Sequence, residues 1–247
     1  MKIDNQVEML EVEMNMMSGT SVIYPTIIRD DRELILVDTG FPGQLSKLSE
    51  AMDKAAVSIN AITRIILTHQ DIDHIGSLPG ILESSGNKIE VICHQEEKPY
   101  IQGEKRAIKL TPERFAQIDA MPEPQRKIMQ WMDENFPKAP VDKAVGDGEE
   151  LPYAGGIVVI HTPGHTPGHI CLFLKKSRTL IAGDALNVVE GNLVGPNPQH
   201  TFDMKLAVQS LLKLTQYDIE TVISYHGGLY RGDIPGRIGK LATGSGI

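Results

Sequence analysis

Residues 68–76 read THQDIDHIG and follow directly on the apolar run RIIL (64–67), so that His69, Asp71, Asp73 and His74 fall within six positions. Two imidazoles and two carboxylates with no thiolate suit zinc, iron or manganese, and they differ from the cysteine-rich sets of structural zinc sites. On an extended segment His69 and Asp71, two positions apart, point the same way. A tight turn then lets Asp73 and His74 face a second position a few ångströms on, so one short segment serves two metals. RIIL reads as a buried strand, which places the cluster at a strand end.

Four other polar clusters share that grammar, each following an apolar strand candidate and carrying a turn-former nearby. They are VDTG (37–40), HTPGHTPGH (161–169), AGDA (182–185) and SYHGG (224–228). Strand ends gathered at one edge of a layered sheet structure bring all five together, and loops on a rigid scaffold are where sites are usually built. Two metals about 3.5–4 Å apart need a bridging ligand. Asp184, in the Gly-Asp turn after TLIA, is placed to supply a bridging carboxylate.

Around these clusters the first third of the chain is β-rich: VEMLEV, SVIYPTII and ELILVDTG read as three strands joined by tight turns. QLSKLSEAMDKAAVSI carries Leu45, Leu48, Met52 and Ala55 at helical spacing, and IGSLPGILESSG followed by KIEVICH repeats the helix-and-strand pattern of a layered α/β domain. Residues 95–140 break the rhythm. They are charged, punctuated by proline and helix-prone, and read as a helical insertion whose Ile128, Met129, Trp131, Met132 and Phe136 pack onto the domain or form a pocket wall. Strands resume at GIVVIH, HICLFLK and TLIAGD, DMKLAVQSLLKLTQY reads as a helix with Asp203 as N-cap, and TVISYH is a last strand. The Gly-rich end, GDIPGRIGKLATGSGI, reads as a loosely held tail. The whole chain, 1–247, is taken as one domain with the insertion at about 95–140.

The formal net charge of −8, without a Lys/Arg-rich run, argues against a nucleic-acid or anionic-membrane partner, because both require a basic footprint. A small-molecule substrate is expected, and homo-oligomerisation stays open. No window approaches the ~20 apolar residues of a membrane span, and the N-terminus has no unbroken apolar stretch. A cytoplasmic location follows. Cys93 and Cys171 each sit in an apolar run, which reads as two buried free thiols of a reducing compartment.

Taken together, the clusters resemble the metallo-β-lactamase fold superfamily over roughly residues 10–230. The family's main motif is His-x-His-x-Asp-His, followed by a separate His, an Asp and a last His. His69, Asp73 and His74 match the motif, His165 of TPGHTPGH the separate His, Asp184 the bridging Asp and His226 the last His. The resemblance implies a four-layer αβ/βα sandwich of two mixed β-sheets flanked by helices. It also implies two divalent ions, zinc foremost, one held by His69, Asp71 and His165 and the other by Asp73, His74 and His226, with Asp184 shared. Asp38 matches a family position that supports the metal loops. His169 either donates to a ligand from behind or covers the turn. His94, His161 and His200 read as strand-end or surface residues.

One position departs, since Asp71 stands where the family has its second His. Two divalent ions then cancel three carboxylates and a bridging hydroxide, whereas an imidazole at that position leaves a net charge of +1. The extra carboxylate makes a bound water less acidic and favours manganese or iron more than an imidazole does.

By resemblance, the chemistry is hydrolysis of an ester, thioester, lactone or amide-like bond in a small molecule, with a metal-bridging hydroxide as nucleophile and Asp73 as proton shuttle. Within the family, Asn187 stands where lactonases that open acyl-homoserine lactones carry a Tyr, three residues after the bridging Asp. The short segment after His226 leaves little room for the substrate domain of glyoxalase II type enzymes. Flavodiiron oxidoreductases of the family carry an attached flavodoxin module and usually a Glu where Asp71 stands, so that branch is not expected. Two other classes stay open: an iron-dependent oxygenase or redox enzyme on the same fold, and a non-catalytic metal-binding member in which Asp71 marks a degraded first site. The insertion and the loop 14–20 are expected to line the pocket and to favour an acyl or aromatic group.

Overall fold

A computed structural model describes residues 1–16, 19–86 and 88–244. The first half of the chain forms β1 (Val7–Met9), β2 (Val12–Met16), β3 (Gly19–Ile23), β4 (Thr26–Arg29), β5 (Leu34–Val37), β6 (Arg64–Leu67), β7 (Glu90–His94) and β8 (Lys143–Val145). The second half forms β9 (Glu150–Leu151), β10 (Ile157–His161), β11 (Ile170–Leu174), β12 (Thr179–Ile181), β13 (Asn187–Val189), β14 (Asn192–Val194), β15 (Thr221–Ser224) and β16 (Gly228–Tyr230). The helices are α1 (Leu45–Lys54), α2 (Ile72–Ile75), α3 (Leu78–Ser85), α4 (Lys98–Ile101), α5 (Pro112–Asp119), α6 (Glu123–Glu134), α7 (Met204–Ser210) and α8 (Ile234–Ala242).

Two six-stranded mixed sheets stack face to face, in the orders β1-β4-β5-β6-β7-β8 and β16-β15-β12-β11-β10-β9. The side-chain alternation of each strand assigns its residues to layers. In β6, Ile66 faces the opposite sheet while Ile65 and Leu67 face α1 and α3; in β11, Ile170, Leu172 and Leu174 face inward while Cys171 and Phe173 face α8 and the helical turn Leu211–Gln216 that follows α7. Strands buried on both faces read as unbroken apolar runs, which explains LILV and ICLFL. The result is the expected four-layer αβ/βα sandwich. Both cysteines are free and buried, as expected.

Several local expectations are corrected. VEMLEV and SVIYPTII each divide into two strands. The second breaks at Tyr24-Pro25, because proline lacks the ladder donor and restricts the residue before it, and the Pro25 carbonyl instead accepts from Leu10 N–H at 2.8 Å. The first helix stops at Lys54, where Ala56 turns left-handed with φ 56°. The C-terminal stretch is not a loose tail. Asp233 caps α8 by accepting from Gly236 N–H at 3.0 Å, and Ile234, Ile238, Leu241 and Ala242 bury one face of the helix against the second sheet. Pro235 sits in its first turn, where a missing N–H costs nothing.

The insertion holds α4, α5 and α6 between β7 and β8. Of its expected packing residues, Phe136 joins the first-sheet core, whereas Ile128 and Trp131 face solvent. Of the expected pocket loop 14–20, residues 14–16 and 19–20 instead belong to the paired strands β2 and β3, while Met17, Ser18, the side chains of Met14, Asn15, Met16 and Met132, and residues 245–247 of the expected tail lie outside the described residues. Among the described residues no helix is long and apolar enough to cross a membrane.

Candidate metal centre

The C-terminal ends of the parallel strands β5, β6, β7, β12 and β15 open at one edge of the sandwich. From them come Asp38, His69, Glu97, Asp184 and His226, and the β10–β11 turn adds His165 and His169. The two sheets are tied there by Ile170 N–H donating to Thr68 O at 3.0 Å and Tyr24 N–H to Tyr225 O at 3.1 Å.

The opening motif folds as its spacing requires. Residues 69–71 are extended up to Asp71 (φ −63°, ψ 147°), and the chain then turns into the single helical turn α2, which carries Asp73 and His74. Thr39 pins that turn, donating to the His74 carbonyl through N–H at 2.7 Å and through Oγ1 at 2.9 Å. Two donor groups result: His69, Asp71, His165 and Asp184 form one, and Asp73, His74 and His226 the other, each with its atoms within 4.8 Å of one another. Asp184 straddles both. Its Oδ2 lies 3.3 Å from His165 Nε2, and its Oδ1 lies 3.3 Å from His74 Nε2 and 3.5 Å from His226 Nε2. All seven residues expected as ligands are therefore brought together.

Whether this cluster fits a metal is decided by its unsatisfied atoms. His69 Nε2, His74 Nε2 and Asp184 Oδ1 are buried without a hydrogen bond. A buried polar atom left unpaired is costly, and all three are ligand-type atoms converging on the same cleft. The donor set is of the imidazole and carboxylate kind that divalent transition metals take. The residues present fit such ions.

Charge interactions tune each group. Burial, together with the charge of His74, pulls His69 down to about 4, so its imidazole is neutral at pH 7. Burial also opposes protonation of His226, yet the Asp184 and Asp73 carboxylates push it up to about 10. His74 is likewise raised well above the ordinary range, against burial, by Asp38, Asp73 and Asp184. Asp184 is held well below the carboxylate range by His226, His74 and His165 despite its burial. Concentrated negative charge of this kind is neutralised equally by protons or by metal cations.

The supporting residues divide as follows. Asp38, at φ 60°, accepts from Thr68 N–H and Thr68 Oγ1, each at 2.8 Å, and lies 2.8 Å from His74 Nδ1. That fixes the His74 proton on Nδ1 and leaves Nε2 to face the cleft. His169 does not donate to a ligand side chain. Its Nε2 accepts from the Asp184 backbone N–H at 3.0 Å and its Nδ1 meets Thr162 Oγ1 at 2.9 Å, so it holds the turn that presents Asp184. The turn also requires Gly183, because a Cβ there would lie 2.7 Å from His169 Nε2. His94 is buried and stacked on His161 with ring centroids 4.1 Å apart, while His200 is exposed.

Two charged residues escaped the sequence reading. Glu97, fully buried, accepts from Gln70 N–H and Gln70 Nε2, each at 2.9 Å, and from Gly168 N–H at 2.6 Å. It ties the motif loop to the turn carrying His165 and His169. Lys109, from the insertion, hydrogen-bonds Asp71 Oδ2 and lies 2.9 Å from His165 Nε2. Against burial, that ammonium and the charge of His69 hold the Asp71 carboxyl well below its usual range. The insertion thus reaches the site through Glu97 and Lys109, and among the described residues not through its methionine and aromatic side chains. Beside His226 opens a cleft of 490 Å³, lined largely by apolar groups including Val22, Val188, Val194, Met204 and Leu211.

The sequence matches the family model of the metallo-beta-lactamase superfamily over residues 19–226. It is 30% identical over 224 residues to the probable metallo-hydrolase YflN of Bacillus subtilis, covering 84% of this chain and 80% of that one. A second probable metallo-hydrolase of the same organism, YybB, is 27% identical over 207 residues, covering 83% of this chain and 80% of the relative. The crystal structure of a metallo-beta-lactamase family protein from Thermus thermophilus superposes with a TM-score of 0.73 at 24% identity, covering 98% of this chain and 80% of the other. With its fold, its clustered donors and these relatives in agreement, the chain belongs to the metallo-beta-lactamase superfamily.

Proposed function

We propose that the protein is a metal-dependent hydrolase acting on an ester, thioester, lactone or amide-like bond of a small molecule, with its two donor groups holding divalent ions, zinc foremost. The observation that carries this reading is the convergence of seven imidazole and carboxylate residues on one cleft where His69 Nε2, His74 Nε2 and Asp184 Oδ1 lack hydrogen bonds. When bound, such ions supply Lewis acidity and lower the pKa of a water from 15.7 towards roughly 7.

The chain's own residues perform the remaining tasks. Asp73, whose Oδ2 is 3.2 Å from His226 Nε2, takes a proton on that oxygen for delivery to the leaving group. Tyr225 holds it in place, donating from Oη to the Asp73 carbonyl at 2.5 Å. His226 has the most accessible side chain of the seven donors and lines the 490 Å³ cleft. The apolar lining supports an acyl or other apolar group on the substrate, since it desolvates such a group without leaving buried polar atoms unpaired. The net charge of −8 supports a small-molecule substrate over nucleic acid.

The test is a panel of acyl esters, acyl thioesters, lactones and amides offered to zinc-loaded and chelated protein. The reading requires turnover of at least one class by the loaded protein, lost on chelation and restored by zinc. Exclusive turnover of small charged phosphoesters would reject the acyl preference. No turnover of any substrate by protein shown to be metal-loaded would reject the hydrolase reading.

A further inference from the structure

Lys109 stands where a cation is expected. In the first donor group its ammonium hydrogen-bonds Asp71 Oδ2 and lies 2.9 Å from His165 Nε2, so two of the lone pairs that an ion would need are engaged by N–H donors. Thr201 Oγ1 donates to Asn197 O at 2.8 Å and so accepts from His165 Nδ1–H at 3.3 Å, which leaves Nε2, the atom a metal would require, facing the Lys109 ammonium at 2.9 Å and Asp71 Oδ2 at 3.0 Å. The placement is built in. Ile108 N–H donates to Gln70 Oε1 at 2.9 Å, fastening the segment before Lys109 to the residue between His69 and Asp71, and Gln70 is itself held by buried Glu97. His69 Nε2 and His74 Nε2 each face the cleft without a hydrogen bond, but the second group differs in that, among the described residues, no lysine or arginine pairs with its donors, whose contacts run among themselves, such as His226 Nε2 to Asp73 Oδ2 at 3.2 Å.

A lysine ammonium is a compact positive charge with three donors on a flexible stem. Paired with Asp71 it makes that position neutral overall, as an imidazole would be, and the Lys109 side chain keeps 26% of its surface exposed, which gives the stem a way out. A metal entering the first group must break the ammonium's contacts with Asp71 and His165. One entering the second group parts only contacts between its own ligand atoms, such as His226 Nε2 with Asp73 Oδ2, and has no foreign side chain to expel.

We propose that the Lys109 ammonium is the resident cation of the first donor group, so that the two groups load unequally: Asp73, His74 and His226, with Asp184, take an ion first, and the first group takes one only when Lys109 swings out. This rests on the metal-centre reading above, and the experiment separates the two. Chelated wild-type protein, Lys109→Met, Lys109→Gln and Lys109→Arg are titrated with Zn²⁺ in a calorimeter, with zinc content measured after gel filtration and folding verified by circular dichroism. Methionine keeps the stem without the charge, glutamine is a second neutral variant, and arginine keeps a cation.

Wild type is expected to bind its second equivalent about 100-fold or more weakly than its first and to keep about one zinc per chain through gel filtration. In the neutral variants the gap narrows to about tenfold or less and two ions are retained, whereas Lys109→Arg behaves as wild type. Two equivalents binding wild type within tenfold of each other, or a gap unchanged in both neutral variants, overturns the proposal while leaving the metal centre standing. Binding of no zinc by any of the folded proteins overturns both.

Discussion

Removing the Glu97 carboxylate should loosen the site and the fold together. Its two oxygens accept from Gln70 N–H, Gln70 Nε2 and Gly168 N–H, and its side chain is shielded from water. Glu97→Ala leaves these three donors without their acceptor. A water entering the vacated space re-satisfies one of them, and the others at about 1–3 kcal/mol each put the loss at about 2–6 kcal/mol. Glu97→Gln retains one acceptor oxygen for the Gln70 donors and sets an NH₂ against Gly168 N–H. It also removes a charge whose pKa burial raises, so its cost is smaller, about 1–3 kcal/mol. The assay is urea unfolding in the presence of a chelator, which keeps metal binding out of the comparison, with unchanged m-values verifying a two-state transition. Because Glu97 joins the loop of His69 and Asp71 to the turn of His165, Glu97→Ala should also weaken zinc affinity, about tenfold or more. A loss below about 1 kcal/mol in Glu97→Ala, or equal losses in the two variants, would refute the reasoning.

Asp38→Asn replaces the acceptor facing His74 Nδ1 with a donor, shifts the imidazole proton towards Nε2, and should lower zinc affinity about 10- to 100-fold by calorimetry. His94 is pulled down to about 4 by burial and by the charge of His161. Below its unfolded value of ~6.5 the unfolded chain therefore binds a proton that the folded protein refuses until about pH 4. Over the whole window this residue should cost up to about 3 kcal/mol of stability, about 2 kcal/mol of it between pH 7.5 and 5, and urea midpoints at those two pH values should show a shallower loss in His94→Asn. Gly227→Ala places a Cβ 1.9 Å from the Val188 carbonyl oxygen at φ 104°. It should cost at least about 3 kcal/mol, read as a fall in Tm of roughly 6–12 °C.

How much of this was legible in the sequence depended on where each residue stands. Every expected donor follows an apolar strand candidate within a few positions, so the two sheets and the gathering of His69, Asp71, Asp73, His74, His165, Asp184 and His226 could be read together. Glu97 obeys the same grammar, three residues after the strand ending at His94, but the charged run QEEK resembles an ordinary solvated segment. Lys109 carries no such signal. It lies 38 positions from Asp71 among other lysines and arginines, and only the fold brings the two together. The final helix was hidden by its glycines and proline, although Ile234, Ile238, Leu241 and Ala242 already held helical spacing. His169 was placed near the site, and only the turn geometry shows that it accepts from backbone N–H instead of donating to a ligand.

The most direct test of the metal centre is a crystal structure of the zinc-loaded protein with anomalous data collected at the zinc edge. A peak about 2.0–2.2 Å from the facing atoms of Asp73, His74, Asp184 and His226 is the predicted result. Anomalous density elsewhere on the surface, with those four side chains left uncoordinated, would contradict it.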